Sequence, residues 1–204
     1  MKHELQEIVA VVNNKGGVGK TTTVQSIAAG LVRRNHNLRV LVVDLDPQCN
    51  LSSLMGMKKE GLSTIYEAMC KQSGLPIYKC KNGVYAVPGS GQMENIEQHL
   101  PGGPSLREQM KSYTVLLSCL QDNNCIDMTG EGLKNIFDDF DYVIIDCPPA
   151  LSKNTYNALV AASKVLIPVQ MEALSVKGVD EILSVMEEVK EFHMNDNLEM
   201  MGLL

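Results

Sequence analysis

Tryptophan is absent from the 204 residues, and phenylalanine occurs three times. Twelve methionines stand in a chain so poor in large rings, which predicts an adaptable aliphatic core in which methionine fills gaps rather than binding a metal or cofactor. No apolar run approaches the ~20 residues that a membrane-crossing helix requires. The opening Met1-Lys2-His3-Glu4-Leu5-Gln6-Glu7 is polar and acidic, unlike a secretory signal. No C-x-x-C pair occurs among Cys49, Cys70, Cys80, Cys119, Cys125 and Cys147, so thiols in a reducing compartment are expected ahead of disulfides or zinc. Positive charge is also scarce. Eighteen Lys and Arg against 24 Asp and Glu leave a net charge of −6, and bulk electrostatics therefore offers no support for nucleic-acid binding. Internal repeats and low-complexity linkers are missing too. What remains is a soluble, cytoplasmic, globular chain whose length suits one domain over residues 1–204.

The segments that are present alternate in kind. Glu7–Asn13 and Arg39–Leu45 are short apolar, β-branched runs that read as buried strands. Between them lie a glycine-rich stretch, Asn14–Gly19, and a helical pattern with Val24, Ile27, Ala28 and Leu31 on one face. Strand, helix and strand within about 40 residues make a βαβ unit, and continuous apolar strands favour a parallel sheet covered on both faces. Tyr142–Asp146 and Val165–Val169 repeat the strand pattern around a helical stretch near Ser152–Ala162, and Val176–Phe192 reads as an amphipathic helix. The middle is less regular. Val84–Pro88 reads as a strand, Ser105–Gln121 as a helix opened by a Ser105/Glu108 capping box, and Gly89-Ser90-Gly91 as a turn. The last residues, Glu199–Leu204, look like the start of one more buried strand, and a chain truncated at its C-terminus is expected.

Chemistry concentrates in Lys15-Gly16-Gly17-Val18-Gly19-Lys20-Thr21-Thr22, placed between the first strand and the first helix. Glycines there let backbone N–H groups turn toward a phosphate chain, and the helix N-terminus aims its positive dipole end at the same charge. Lys20 would reach the terminal phosphates and the Thr21 hydroxyl would ligate Mg²⁺. The strict P-loop pattern has a glycine where this chain has Asn14, and an additional lysine, Lys15, follows it. Asp44 and Asp46 end the second strand and Asp146 ends a later one. In an open parallel sheet the ligand crevice lies at the carboxyl ends of the strands, so these acids should face the phosphates, holding Mg²⁺ or orienting a water.

Together KGGVGKTT, DLDPQ and YVIIDCPPALS resemble the ParA/Soj-type partition ATPases, members of the deviant Walker-A group of P-loop proteins that also contains MinD. The resemblance runs from about Glu7 to the end and implies an α/β, P-loop NTPase-like three-layer sandwich with a mostly parallel twisted sheet flanked by helices. It also implies ATP and Mg²⁺ as cofactors and an ATP-dependent homodimer in which Lys15 crosses to the partner's phosphates. On this likeness Lys20 is the P-loop lysine, Thr21 a Mg²⁺ ligand and Thr22 a further phosphate contact. Asp46 positions the hydrolytic water, and Asp44 and Asp146 stand around the magnesium. Hydrolysis is expected to be slow without a partner. A ParB-like centromere-binding protein, nonspecific DNA for the full-length form, nucleoid association in the ATP state and no membrane complete the implied setting, plasmid or chromosome partitioning.

One departure is Cys49 in place of the glycine that commonly follows DPQ in that family. Three other readings compete. A MinD-like or other cargo-positioning ATPase is disfavoured by Cys147-Pro148-Pro149-Ala150-Leu151-Ser152, which resembles the partition type. An iron–sulfur electron-transfer protein would need cluster cysteines, for which Cys119 and Cys147 are the nearest candidates. The third is an inactive truncated fragment of a ParA-type protein.

Overall fold

The computed structural model describes residues 3–57, 61–71, 74–121, 125–170 and 175–204, the side chains of Leu106, Ser175 and Val176 excepted. The apolar runs become strands β1 (Glu7–Val11), β2 (Val40–Asp44), β6 (Tyr142–Asp146) and β7 (Lys164–Ile167), joined by β3 (Pro76–Lys79), β4 (Tyr85–Val87), β5 (Ile126–Asp127) and β8 (Glu199–Leu203). They form one sheet in the order β5-β3-β4-β2-β6-β1-β7-β8. Every pairing is parallel except β3 with β4.

Alternate residues of the central strands feed two cores, as the two-residue period of a strand requires. Val9, Val11, Val40, Val42 and Ile144 meet Val24, Ala28 and Val32 of α1 (Lys20–Arg34) and Leu51 of α2 (Asn50–Leu54). Ala10, Leu41, Val43, Val143 and Ile145 belong to the larger core on the other face. That core takes in α3 (Ile65–Lys71), α5 (Val115–Gln121), α6 (Ile136–Asp139), α7 (Lys153–Ala161) and α8 (Ser175–Glu191) through Met69, Leu120, Ile136, Leu159 and Ile182. Helices thus cover both faces of a mostly parallel sheet, the expected three-layer α/β arrangement.

Two expectations need correction. The single helix read over Ser105–Gln121 is two, α4 (Leu106–Lys111) and α5. The capping box of Ser105 and Glu108 is present, but buried Asn157 wedges into the break. Its side-chain amide donates to the Ser112 carbonyl at 2.8 Å, and its oxygen accepts from Leu116 N–H at 3.0 Å, replacing bonds that a continuous helix would have made. The final strand forms but is not buried. β8 pairs only with β7 among the described residues, and Met200, Met201 and Leu203 are about half exposed on this edge. The amphipathic pattern at 176–192 is α8, with the side chain of Val176 outside the described residues. No helix among the described residues is long and apolar enough to cross a membrane.

Candidate nucleotide site

From β1 the chain crosses beyond β6 to β2, whereas β7 and β8 lie on the other side of β1. The crevice of an open parallel sheet forms where connections diverge in this way, at the carboxyl ends of the strands. The loop from Asn13 to Gly19 leaves β1 at that point and runs straight into α1. Gly17 (φ 76°) and Gly19 (φ 91°) take left-handed conformations that a side chain would resist. Gly19 is also the N-cap of α1, with no side-chain cap and no acidic residue in the first turn. The first N–H donors of the helix and its positive dipole end are thus left for an anion.

Side chains from several segments hold the loop. Asn13 is buried; its Oδ1 accepts from Lys15 N–H at 2.9 Å and its amide donates to the Pro168 carbonyl at 2.7 Å. Gln170 donates to the Gly17 carbonyl at 3.2 Å. Lys20 is buried, and its ammonium donates to the Lys15 carbonyl at 3.0 Å. Burial holds the Lys20 pKa below the usual lysine value, against the pull of Asp146 and Asp46. Asn14, which replaces the pattern's glycine, directs its side-chain amide to Glu181 on α8. The substitution is therefore accommodated by the neighbouring helix.

The strand register brings the acids together. Asp44 and Asp146 are paired positions on β2 and β6, and Asp46, also buried, lies two residues beyond the first. Asp146 is fully buried, and neither of its carboxyl oxygens has a hydrogen-bonding partner. Burial, then the charges of Asp44 and Asp46, push its pKa up to about 7, while the neighbouring Thr21 hydroxyl and Lys20 pull the other way. Burial also raises Asp44, to about 6, although its carboxylate accepts from both the N–H and the hydroxyl of Ser52. An unpartnered buried carboxylate is costly in isolation, and a divalent cation beside Asp146 and Thr21 would remove that cost. No group of three His, Cys, Asp or Glu side chains among the described residues is arranged to hold a metal ion by itself. The ion that fits is therefore one satisfied with few protein ligands, as Mg²⁺ is when it keeps waters and phosphate oxygens.

All the residues singled out from the sequence thus lie on or beside one crevice: Lys15 to Thr22 on the loop and first turn, Asp44, Asp46 and Asp146 on the adjoining strand ends. Ser52, which bonds Asp44, and Gly89, whose N–H donates to the Ser52 hydroxyl at 2.8 Å, are contacts of these acids that sequence reasoning missed. The first sits inside α2, and the second lay in a stretch that read only as a turn. Cys49 is the N-cap of α2 with φ 52° and ψ 37°, a left-handed conformation that suits a glycine at this position and strains a residue carrying a β-carbon. All six cysteines are thiols. Cys147 is fully buried, and Cys119 is buried in the core with its thiol donating to the Ala68 carbonyl.

A glycine loop between the first strand and first helix of a parallel sheet, with acids on the neighbouring strand ends, defines the P-loop class of nucleotide-binding protein. The AAA domain family matches residues 6–200. The chromosome partitioning protein ParA of Myxococcus xanthus is 34% identical over 203 residues, covering 97% of this chain and 63% of that protein. The chromosome-partitioning ATPase Soj of Thermus thermophilus is 35% identical over 196 residues, covering 96% and 67%. Among solved structures, a cobyrinic acid a,c-diamide synthase from Mycobacterium smegmatis, with bound ATP analogue and magnesium, has a TM-score of 0.79 at 33% identity, covering 98% of this chain and 74% of that one. The chain belongs to the AAA-domain family of P-loop ATPases that includes the ParA and Soj partitioning proteins.

Proposed function

We propose that this chain binds Mg-ATP at the β1–α1 loop and acts as an ATP-dependent dimerisation switch in the partitioning of a plasmid or chromosome. The observation that carries the nucleotide reading is the fully buried carboxylate of Asp146, unsatisfied except for its neighbour Thr21 and close to Lys20, together with the uncapped N-terminus of α1. The names of the Myxococcus and Thermus relatives support the partitioning role. The Mycobacterium structure, solved with an ATP analogue and magnesium, supports the choice of ligand.

Each residue then has a task. Gly16, Gly17, Val18 and Gly19 present backbone N–H groups to the phosphates, joined by those of Lys20, Thr21 and Thr22 at the helix start. The Lys20 ammonium neutralises phosphate charge. Thr21 and Asp146 hold Mg²⁺, with Asp44 behind them. The cation supplies Lewis-acid charge neutralisation at the phosphates when bound. Asp46 orients the attacking water, and Lys15 supplies a second cation across a dimer interface, as an arginine finger would. A lone chain lacks that cation, so its hydrolysis is slow. In the longer proteins of the family, the same cycle would couple to nonspecific DNA on the nucleoid and to a ParB-like centromere-binding partner.

The direct test is light scattering coupled to size exclusion. With ADP the chain should elute at its 22.4 kDa mass, and with Mg-ATP at twice that. A monomer under both conditions, in a sample whose melting temperature does respond to Mg-ATP, refutes the dimer while retaining nucleotide binding. Asp46→Ala should keep Mg-ATP affinity but lose about 100-fold in turnover and accumulate as dimer, within the range typical for a proton-handling or water-orienting group. Near-normal turnover would remove Asp46 from the reaction.

A further inference from the structure

The roles above leave unexplained why Asp44, buried at the end of β2, is so fully engaged by the protein itself. Its Oδ2 accepts from Ser52 N–H at 2.8 Å and from Ser52 Oγ–H at 2.6 Å. Its Oδ1 accepts from the backbone N–H of Asp46 at 3.2 Å. The Ser52 hydroxyl, itself buried, in turn accepts from Gly89 N–H at 2.8 Å. Gly89 stands so close that an added β-carbon would lie 2.9 Å from Asp44 Cγ and 3.1 Å from its carbonyl oxygen. Its φ lies outside the left-handed range. Close approach is therefore what glycine provides here, not a turn.

One continuous relay thus runs from the loop after β4, through α2, to the end of β2, and on to the main chain of Asp46. We propose that Ser52 and Gly89 are positioning residues for Asp46: they fix the Asp44 carboxylate, and Asp44 fixes the backbone that carries the Asp46 side chain. The inference rests on the reading of Asp46 as the water-orienting group. The Asp46 carboxylate is steadied on its other side by Gln48 N–H at 2.9 Å, and Cys49 N–H closes the turn on the Asp46 carbonyl at 2.9 Å. The Asp44 contact is the bond that ties this turn to the sheet through the Asp46 N–H. A reacting group held to within about 0.5 Å depends on such supporting contacts more than on its own rotamer.

Ser52→Ala deletes the hydroxyl donor to Asp44 and the acceptor for Gly89 while leaving the Ser52 N–H bond to Asp44 in place, and it tests the relay in two ways. In the nucleotide-free chain, NMR hydrogen exchange at the Asp46 amide should quicken at least tenfold, while the Leu45 amide, bonded to the Asp146 carbonyl at 3.0 Å, keeps its protection. In steady state, kcat should fall about tenfold with KM for Mg-ATP and the affinity for Mg-ADP within about twofold of the parent, and Ser52→Thr should restore both exchange and turnover. An Asp46 amide as protected as in the parent, or a loss of nucleotide affinity in step with kcat, overturns the proposal. If Ser52→Ala does not fold, Ser52→Cys carries the same expectations, because the thiol keeps the volume with a weaker donor. The two readings fail separately. Full turnover in Asp46→Ala defeats the role of Asp46, whereas a slow Asp46→Ala beside an unimpaired Ser52→Ala defeats only the relay.

Discussion

At pH 8 and without nucleotide, Asp146→Asn melts above the parent chain. Burial and the nearby acids lift the Asp146 pKa from its ordinary 3.8 to about 7, so the native chain at pH 8 holds an ionised carboxylate that the fold does not solvate. Each pKa unit corresponds to about 1.4 kcal/mol, so a shift of roughly three units costs on the order of 4 kcal/mol. An asparagine amide in the same place gives back part of the gain, about 1–3 kcal/mol, because its own polar atoms lack partners. The sign follows from linkage. A carboxyl with a raised folded-state pKa is no burden below 3.8, and stability falls as pH rises from there through about 7. Asp44, raised to about 6, acts in the same direction. Thermal melts between pH 5 and 8 should therefore slope downward for the parent and less steeply for Asp146→Asn. Saturating Mg-ATP should reverse the ranking at pH 8, stabilising the parent far more than the variant. A parent whose stability is level or rising over this window would show that the carboxylate is satisfied without a cation.

That carboxylate illustrates which features a sequence reveals and which it does not. β1, β2 and β6 were legible because a strand buried on both faces must be an unbroken apolar run, and Asp146 could be placed because it ends such a run. The glycine loop is legible because its signature is contiguous, all of it lying within residues 15–22, although distant residues such as Pro168 and Gln170 help to hold it. What escaped detection depends on distant partners. The break between α4 and α5 comes from Asn157, which lies 45 residues beyond Ser112 and 41 beyond Leu116. Ser52 reaches Gly89 across 37 residues, and nothing near either one marks it as part of a site. The exposure of β8 was misjudged for a related reason. An apolar run predicts a strand, but whether a helix lies over it is decided by the connections.

Lys15→Ala should keep nucleotide binding within about threefold of the parent and abolish the doubling of mass with Mg-ATP. The argument begins with the main chain of Lys15. Its N–H donates to Asn13 Oδ1 at 2.9 Å and its carbonyl accepts from Lys20 at 3.0 Å. Both bonds survive truncation at Cβ, so the loop between β1 and α1 keeps its shape and Lys20 keeps its seat. The truncation removes the side-chain charge, which under the proposed function acts in the partner's site. Two opposite charges about 4 Å apart are worth roughly 4 kcal/mol at the effective dielectric near a protein surface. A two-fold dimer loses that contact twice. Even if desolvation cancels half, the dimer dissociation constant should rise about a thousandfold. Lys15→Arg keeps the charge and should recover part of the association, limited by the different reach and geometry of a guanidinium. If Lys15→Ala still doubles in mass with Mg-ATP, the side chain serves its own loop, and the second cation must come from elsewhere on the partner.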